Sequence, residues 1–331
     1  MLVISDLLLS IYHEARNSET NAFVRNSFAS MQKTLRFDSA AIISLGFSQA
    51  GDMQIKGAFG YKLSLEEKLK VRMEMGITER HVQGRGIVGS DPHLAKCFRN
   101  KNRAHIVDSR TVPDASVVEY ARRTCALHVL TMVTDDSGGS GFSALSLWRG
   151  GEHDRYELSD QKVADLLLPH FFMALSINKQ MANTNVSQDN TYLPPIICNL
   201  NGLINFVEDA VFHFLQDQYP NWAPLYLPRV IIDGMNADAS MIYVSKAFTA
   251  KGRVLNETLL VYISKKSESG SLTRNEYKIA QLLAQDATYK EIALQLGTSP
   301  ATVRNQAHSI YKKLRISKKS SIRAALLLLE H

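Results

Sequence analysis

Between Thr273 and Leu314 the chain specifies where its helices begin and end, and this constrains the fold more tightly than any other stretch. Thr273-Arg274-Asn275-Glu276 is a capping box, in which the threonine hydroxyl accepts the backbone N–H of Glu276 while that carboxylate reaches back to the N-cap amide. Ile279, Ala280, Leu282 and Leu283 supply the apolar face of the helix that starts there, and Gln285-Asp286-Ala287 breaks it. Thr288-Tyr289-Lys290-Glu291 is a second capping box, followed by Ile292, Ala293 and Leu296, with Gly297 placed to end the helix in the left-handed conformation. Ser299-Pro300 is an N-cap followed by proline at the first helical position. In the helix after it, Val303, Ala307, Ile310 and Leu314 recur at the spacing of a buried stripe, while Arg304, Asn305, His308 and Lys312 fall on a different face. Ser317 onward predicts a fourth helix with Ile322, Ala325, Leu326 and Leu329 on one side.

A short helix, a tight turn and a longer helix with a polar, basic outer face is a geometry that fits a major groove about 12 Å wide. The charge distribution points the same way. Of the 38 Lys/Arg and 32 Asp/Glu in the 331 residues, ten and four respectively lie between Ser271 and His331, which leaves 28 of each in the rest. The whole net charge of +6 therefore sits in the tail, as a polyanion-binding module attached to a neutral body would have it.

The tail closely resembles the helix-turn-helix of the LuxR/FixJ family. Its pattern is met by Leu272, Thr273, Glu276, Ile279, Leu282, Thr288, Lys290, Glu291, Ile292, Ala293, Leu296, Ser299, Thr302, Val303, Arg304, Ile310, Lys313 and Leu314. It departs at Asp286, where glycine is usual, and at Gln306, where histidine is usual. The resemblance implies that Arg304, Asn305 and His308 read bases and that Thr288, Lys290, Ser299, Thr302 and Lys312 hold phosphates. Capping alone is the competing role for Thr288 and Ser299, and a solvated helix face is the competing role for Arg304 and His308. Double-stranded DNA, a second copy of the chain and RNA polymerase are the partners the resemblance implies.

Two polar breaks divide the chain into 1–181, 192–264 and 271–331. The first runs from Ala182 to Thr191 before Pro194-Pro195, and the second from Ser264 to Ser271. In the first segment Met1 to Tyr12 and Asn21 to Leu35 predict helices, Ser39 to Phe47 a strand, Ser64 to Met75 a helix and Ala104 to Val107 a further strand. Ala126 to Thr134 and Phe142 to Trp148 flank a Gly-rich turn and predict a hairpin. Ser159 to Met181 predicts a long helix with Val163, Leu166, Leu167, His170, Phe171 and Ala174 at helical spacing.

Gly84-Arg85-Gly86-Ile87-Val88-Gly89, then Ala104 to Asp108, and Tyr156 to Asp160 before the long helix resemble stretches of GAF domains, which bind small ligands or dimerise. Ile196 to Ile204 resembles the opening strand-turn-strand of PAS domains, with Asn205 to Leu215 as the helix after it and Met241 to Phe248 with Glu257 to Ser264 as a hairpin. The fold class expected is α+β: a GAF-like antiparallel sheet with helices, a small PAS-like α/β segment and an all-α four-helix helix-turn-helix domain. No internal repeat is visible.

No phosphate-binding, zinc-protease, nucleophile-elbow or deaminase motif occurs, so an enzyme is not expected and no catalytic residues are assigned. Cys97, Cys125 and Cys198 are far apart and outside any CxxC spacing, against both a disulfide framework and a structural zinc site. No metal or cofactor is expected, although His105, His128, His170 or Cys97 could serve a haem or redox sensor. The first twelve residues lack the basic start of a signal peptide, and no run reaches the ~18 apolar residues of a membrane span, so the chain reads as cytoplasmic with no membrane partner. A response-regulator receiver lacks its acidic context here, and an acyl-homoserine-lactone receptor its W-Y-x-x-Y cluster. The expected function is a DNA-binding regulator whose front segment answers a small-molecule effector, with unknown ligand residues, or dimerises. A constitutive regulator with a scaffolding front end is the alternative.

Overall fold

The apolar start of the chain forms α1 (Leu2–Asn17), and Glu19 then caps α2 (Thr20–Met31) by accepting the amide of Ala22 at 3.0 Å. The computed structural model describes residues 2–47, 53–77, 79–82, 86–89, 92–135, 141–184, 192–222, 224–237, 239–266, 272–314, 316, 318–322 and 326. These fall into two compact units, Met1–Val244 with Ala250–Ser264, and Ser245–Thr249 with Lys265–His331.

After α2 come β1 (Ser39–Phe47), β2 (Met53–Tyr61), α3 (Leu65–Glu74), β3 (Glu79–Val82), β4 (Gly86–Gly89), α4 (Pro92–Arg99), β5 (Ala104–Asp108), α5 (Ala115–Arg123), β6 (His128–Asp135), β7 (Phe142–Arg149) and α6 (Leu158–Thr184). Five strands make one antiparallel sheet in the order β2-β1-β7-β6-β5, and β3 pairs with β4 in a separate ribbon. Because successive side chains of a strand point to opposite faces, β1 sends Ala40 and Ile42 to one side and Ala41 and Ile43 to the other. The first side, with Leu130, Met132, Leu145 and Leu147, packs under Phe23, Phe28, Leu167 and Phe171 of α2 and α6. Phe171 stacks on Phe23 and Phe28 at ring-centroid distances of 5.9 and 5.6 Å. Leu166, expected on this buried stripe, is 49% exposed, and His170 lies at its margin with Nδ1 3.0 Å from the Tyr12 hydroxyl. Of the GAF-like run, Gly86 to Gly89 is β4, whereas Gly84 and Arg85 lie outside the described residues. The same is true of residues 136–140 in the expected hairpin turn, most of the two polar breaks, Ser317, Ala325 and Leu329.

The chain continues as β8 (Ile196–Asn199), β9 (Ile204–Phe206), α7 (Asp209–Gln218), α8 (Arg229–Asn236), β10 (Ile242–Val244), β11 (Phe248–Leu255) and β12 (Thr258–Lys265). The second sheet runs β9-β8-β12-β11-β10. In both sheets the first and last strands of the segment lie side by side, with its second strand outside the first, so the two share one topology although no sequence repeat announces it.

Two expectations are corrected here. The partner of the last strand is Phe248–Leu255, not Met241–Phe248, because Asn256 takes a left-handed φ of 53° and closes a tight turn to Thr258. The helix expected from Asn205 starts at Asp209, since Asn205 and Phe206 still belong to β9, where Phe206 pairs with Ile197.

The edge strands β2 and β9 meet. Asn205, 5% exposed, donates to the Ala58 carbonyl at 2.9 Å and accepts from Asn21 at 3.0 Å, and Phe59 stacks on Phe206 at 6.5 Å. Gly57 permits the approach, for a Cβ there would stand 2.8 Å from the Asn205 carbonyl oxygen. Each edge thus covers the other, which removes two open templates for strand addition. Lys56 on β2 forms a buried ion pair with Asp209 at the start of α7.

Candidate nucleic-acid interface

In the second unit the capping residues hold α9 (Arg274–Ala284), α10 (Tyr289–Leu296) and α11 (Pro300–Lys313) at the lengths their sequence predicts. Thr273 Oγ1 accepts the Glu276 amide at 3.2 Å while Glu276 Oε2 accepts the Thr273 amide at 2.8 Å. Thr288 and Glu291 repeat the arrangement at 3.3 and 2.7 Å, and the Thr288 hydroxyl also donates to Glu291 at 2.8 Å. Gly297, at φ 63°, ends α10 in the left-handed conformation, and three residues later α11 begins on proline. Ser299 Oγ accepts the Thr302 amide at 3.1 Å and lies 2.8 Å from the Thr302 hydroxyl. Asp286, at the usual glycine position, has a φ of 64°, a conformation that a short polar side chain tolerates. Gln306 is half-buried, and α11 runs on through it.

Ile279, Ala280, Leu283, Ile292, Ala293, Val303, Ala307 and Ile310 form one core, with Ile322 and Leu326 completing it. The expected fourth helix is described only as a 3-10 turn, Lys319–Ser321, and by those two buried residues. Burying one stripe of α11 leaves Arg304, Asn305, His308 and Lys312 exposed. Arg304, Asn305 and His308 line one groove together with Tyr289 from α10 and Tyr311. Neither tyrosine was expected there. Tyr311 follows Arg304 by seven residues and therefore shares its helix face, which is the signal that could have found it. Burial and a hydrogen bond with Tyr289 push the Tyr311 hydroxyl up to about 12. Thr288, Lys290, Ser299 and Thr302 are exposed as well, with the three hydroxyls engaged in the caps described above.

Glu276 has a second role that the capping pattern does not reveal. The residue is 8% exposed, and its carboxylate takes bonds from Ser309 Oγ at 3.0 Å and Lys313 Nζ at 2.6 Å, both on α11. Burial pulls this carboxyl up, but Lys313, the Thr273 amide and Ser309 outweigh it and hold it at about 2. One side chain thus caps α9 and pins the end of α11 to it, fixing the orientation of the groove-lining helix within the unit.

The first unit holds a cavity of about 160 Å³ between the sheet and α3, α4 and α5, on the face opposite α2 and α6. Its walls include Ile43, Ile55, Val129, Ala144 and Trp148 from the strands, and Lys68, Cys97 and Ala121 from the helices. The other residues named for a haem or redox site lie apart. His105 Nε2 is 3.4 Å from the Asn100 carbonyl, and His128, 1% exposed, is 3.3 Å from the Glu152 carbonyl. Among the described residues no group of three or more His, Cys, Asp or Glu is arranged to hold a metal ion, and no helix is long and apolar enough to cross a membrane.

Residues 270–325 match the family described as bacterial regulatory proteins, luxR family. They form a LuxR-type DNA-binding helix-turn-helix. No curated protein matches the chain. Among solved structures, it is similar to the N-acylhomoserine-lactone-dependent LuxR family transcription factor CepR2 of Burkholderia cenocepacia, at 13% identity and a TM-score of 0.40 over 53% of this chain and 94% of that one. It is similar to SdiA of Escherichia coli at 12% identity and a TM-score of 0.38 over 98% and 96% of the two chains. The phycoerythrobilin-bound GAF domain of a cyanobacterial phytochrome aligns at 10% identity and a TM-score of 0.34 over 53% of this chain and 95% of that one. Among the described residues the chain is mixed α+β, with two five-stranded sheets and a two-stranded ribbon preceding a helical tail.

Proposed function

We propose that this chain is a sequence-specific, cytoplasmic transcription regulator that lays α11 in the major groove of double-stranded DNA, works as a homodimer and adjusts its grip to a small molecule held by the first unit. The observation that carries the DNA reading is the exposed row Arg304, Asn305 and His308 on a helix whose other face buries Val303, Ala307 and Ile310. Arg304 can bond guanine at O6 and N7, and Asn305 can bond adenine at N6 and N7. Lys290 and Lys312 supply charge to flanking phosphates. Ser299 and Thr302 share one hydrogen bond, which leaves one of their two hydroxyl protons for a phosphate oxygen, whereas Thr288 has its proton on Glu291.

In gel-shift titrations Arg304→Ala is expected to cost ~1–3 kcal/mol on the specific site and to relax preference at one base pair. Lys312→Ala is expected to weaken all sequences about equally and to reduce the slope of the salt dependence by about one. An Arg304→Ala protein with unchanged affinity and preference would remove α11 from the interface.

The dimer reading rests on the solvent side of α6, where Leu166 and Met173 are 49% and 58% exposed two turns apart. Two tethered readers gain effective concentration on a two-fold site without any new contact to DNA. Light scattering is expected to give twice the chain mass, and Leu166→Glu with Met173→Glu to halve it. A monomer both free and on DNA contradicts this reading. The sensor reading rests on the cavity, since an apolar pocket under helices is the usual place for a small ligand.

A further inference from the structure

The cavity of the first unit has an unbalanced lining. Lys68 and Arg72 line it, and among the described residues no aspartate or glutamate does. Lys68 is the more telling of the two, because it is 6% exposed. Its ammonium stands 3.8 Å from the centroid of the Trp148 ring and 3.3 Å from the Thr124 carbonyl, and among the described residues it has no carboxylate partner. A buried charge is ordinarily paired, because removal from water costs more than a ring face and one carbonyl return. The hydroxyls of the lining serines and threonine are already engaged. Ser109 donates to the Ala126 carbonyl at 3.0 Å, Thr131 donates to the Leu145 carbonyl at 3.0 Å, and Ser146 lies 2.5 Å from Thr131. The cation is the group left wanting a partner, and burial pushes its pKa down to about 8, which an adjacent anion would reverse.

Size narrows the class further. A cavity of about 160 Å³ matches the room that holds a single benzene ring in an engineered protein core, where about 150 Å³ suffices. We propose that the cavity takes a small apolar monocarboxylate, an aromatic or short aliphatic acid, whose carboxylate pairs with the Lys68 ammonium while its body lies against Trp148 and the aliphatic wall. This rests on the reading of the first unit as an effector-binding module.

The test is calorimetric titration of the full chain with benzoate and hexanoate, against benzyl alcohol and hexylamine as neutral and cationic counterparts. The acids are expected to bind at least about tenfold more tightly than either counterpart. Lys68→Met is expected to abolish that preference while melting no lower than the parent, since removing a buried charge relieves the fold, and Lys68→Arg is expected to retain the preference. Equal binding of benzyl alcohol, an unchanged acid affinity in Lys68→Met, or no saturation by either acid overturns the proposal. The same titrations repeated on the protein bound to operator DNA separate the two readings. If benzyl alcohol binds and shifts DNA affinity, the effector module stands and the anion does not. If Ala144→Leu, which fills the cavity, leaves the response of DNA binding to cell metabolites untouched, the module reading falls with it.

Discussion

Replacing Glu276 with alanine is expected to destabilise the DNA-binding unit by about 3 kcal/mol or more and to abolish DNA binding near its melting temperature. The size follows from the carboxyl's displacement from its ordinary 4.5 to about 2. Each tenfold change in proton affinity between the unfolded and folded states is worth about 1.4 kcal/mol, and the side chain is only 10% exposed, so solvent screens little of it. The truncation also removes half of the capping box, typically worth about 1 kcal/mol. The sign of the pH dependence is set by the direction in which the carboxyl is displaced. A carboxyl depressed in the folded state contributes fully above its unfolded pKa near 4.5, and that contribution is lost as pH falls through the folded value of about 2. Thermal melts of the second transition between pH 5 and 2 are expected to fall steeply for the parent and weakly for Glu276→Ala. Glu276→Gln keeps the cap acceptor but turns an amide toward Lys313, so a double-mutant cycle with Lys313→Met isolates the charged pair from the cap. Equal melts for parent and Glu276→Ala would show that the carboxylate does not bridge the two helices.

Asp209→Asn is the second large effect, expected to cost the first unit about 3 kcal/mol, because it removes a charged partner from an ammonium that has little access to water. The Lys56 side chain is 2% exposed and Asp209 13%. Breaking one side of such a pair is far costlier than replacing both, so Lys56→Met combined with Asp209→Leu is expected to recover most of the loss. Denaturant melts of the three proteins decide it: a single replacement that costs under about 0.5 kcal/mol means that water reaches Lys56. Since Lys56 lies on β2 and Asp209 on α7, the same measurement reports how far the two sheets depend on each other.

How much of the structure is legible in the sequence varies by element. Helices α9, α10 and α11 are readable to within a residue or so, and with them the faces that carry Arg304, Asn305 and His308. β1, β6 and β7 are also readable, because their runs are mostly apolar and broken only by single serines or threonines. β2 is not, for Met53–Tyr61 carries Lys56, Gly57 and Gly60, which read as a solvated loop until β9 and α7 are packed beside them.

The sequence by itself determined the tail, since a capping box, a left-handed glycine and an N1 proline act within four residues and need no neighbour to define them. Only the tertiary structure decided that Glu276 reaches Lys313 across 37 residues, that Asn205 reaches Ala58 across 147, and that Lys68 ends up buried under Trp148. Such pairs exist only after loop closure has brought distant segments together. A lone lysine, asparagine or glycine carries no local mark of whether its partner will be water or a strand from the far end of the chain.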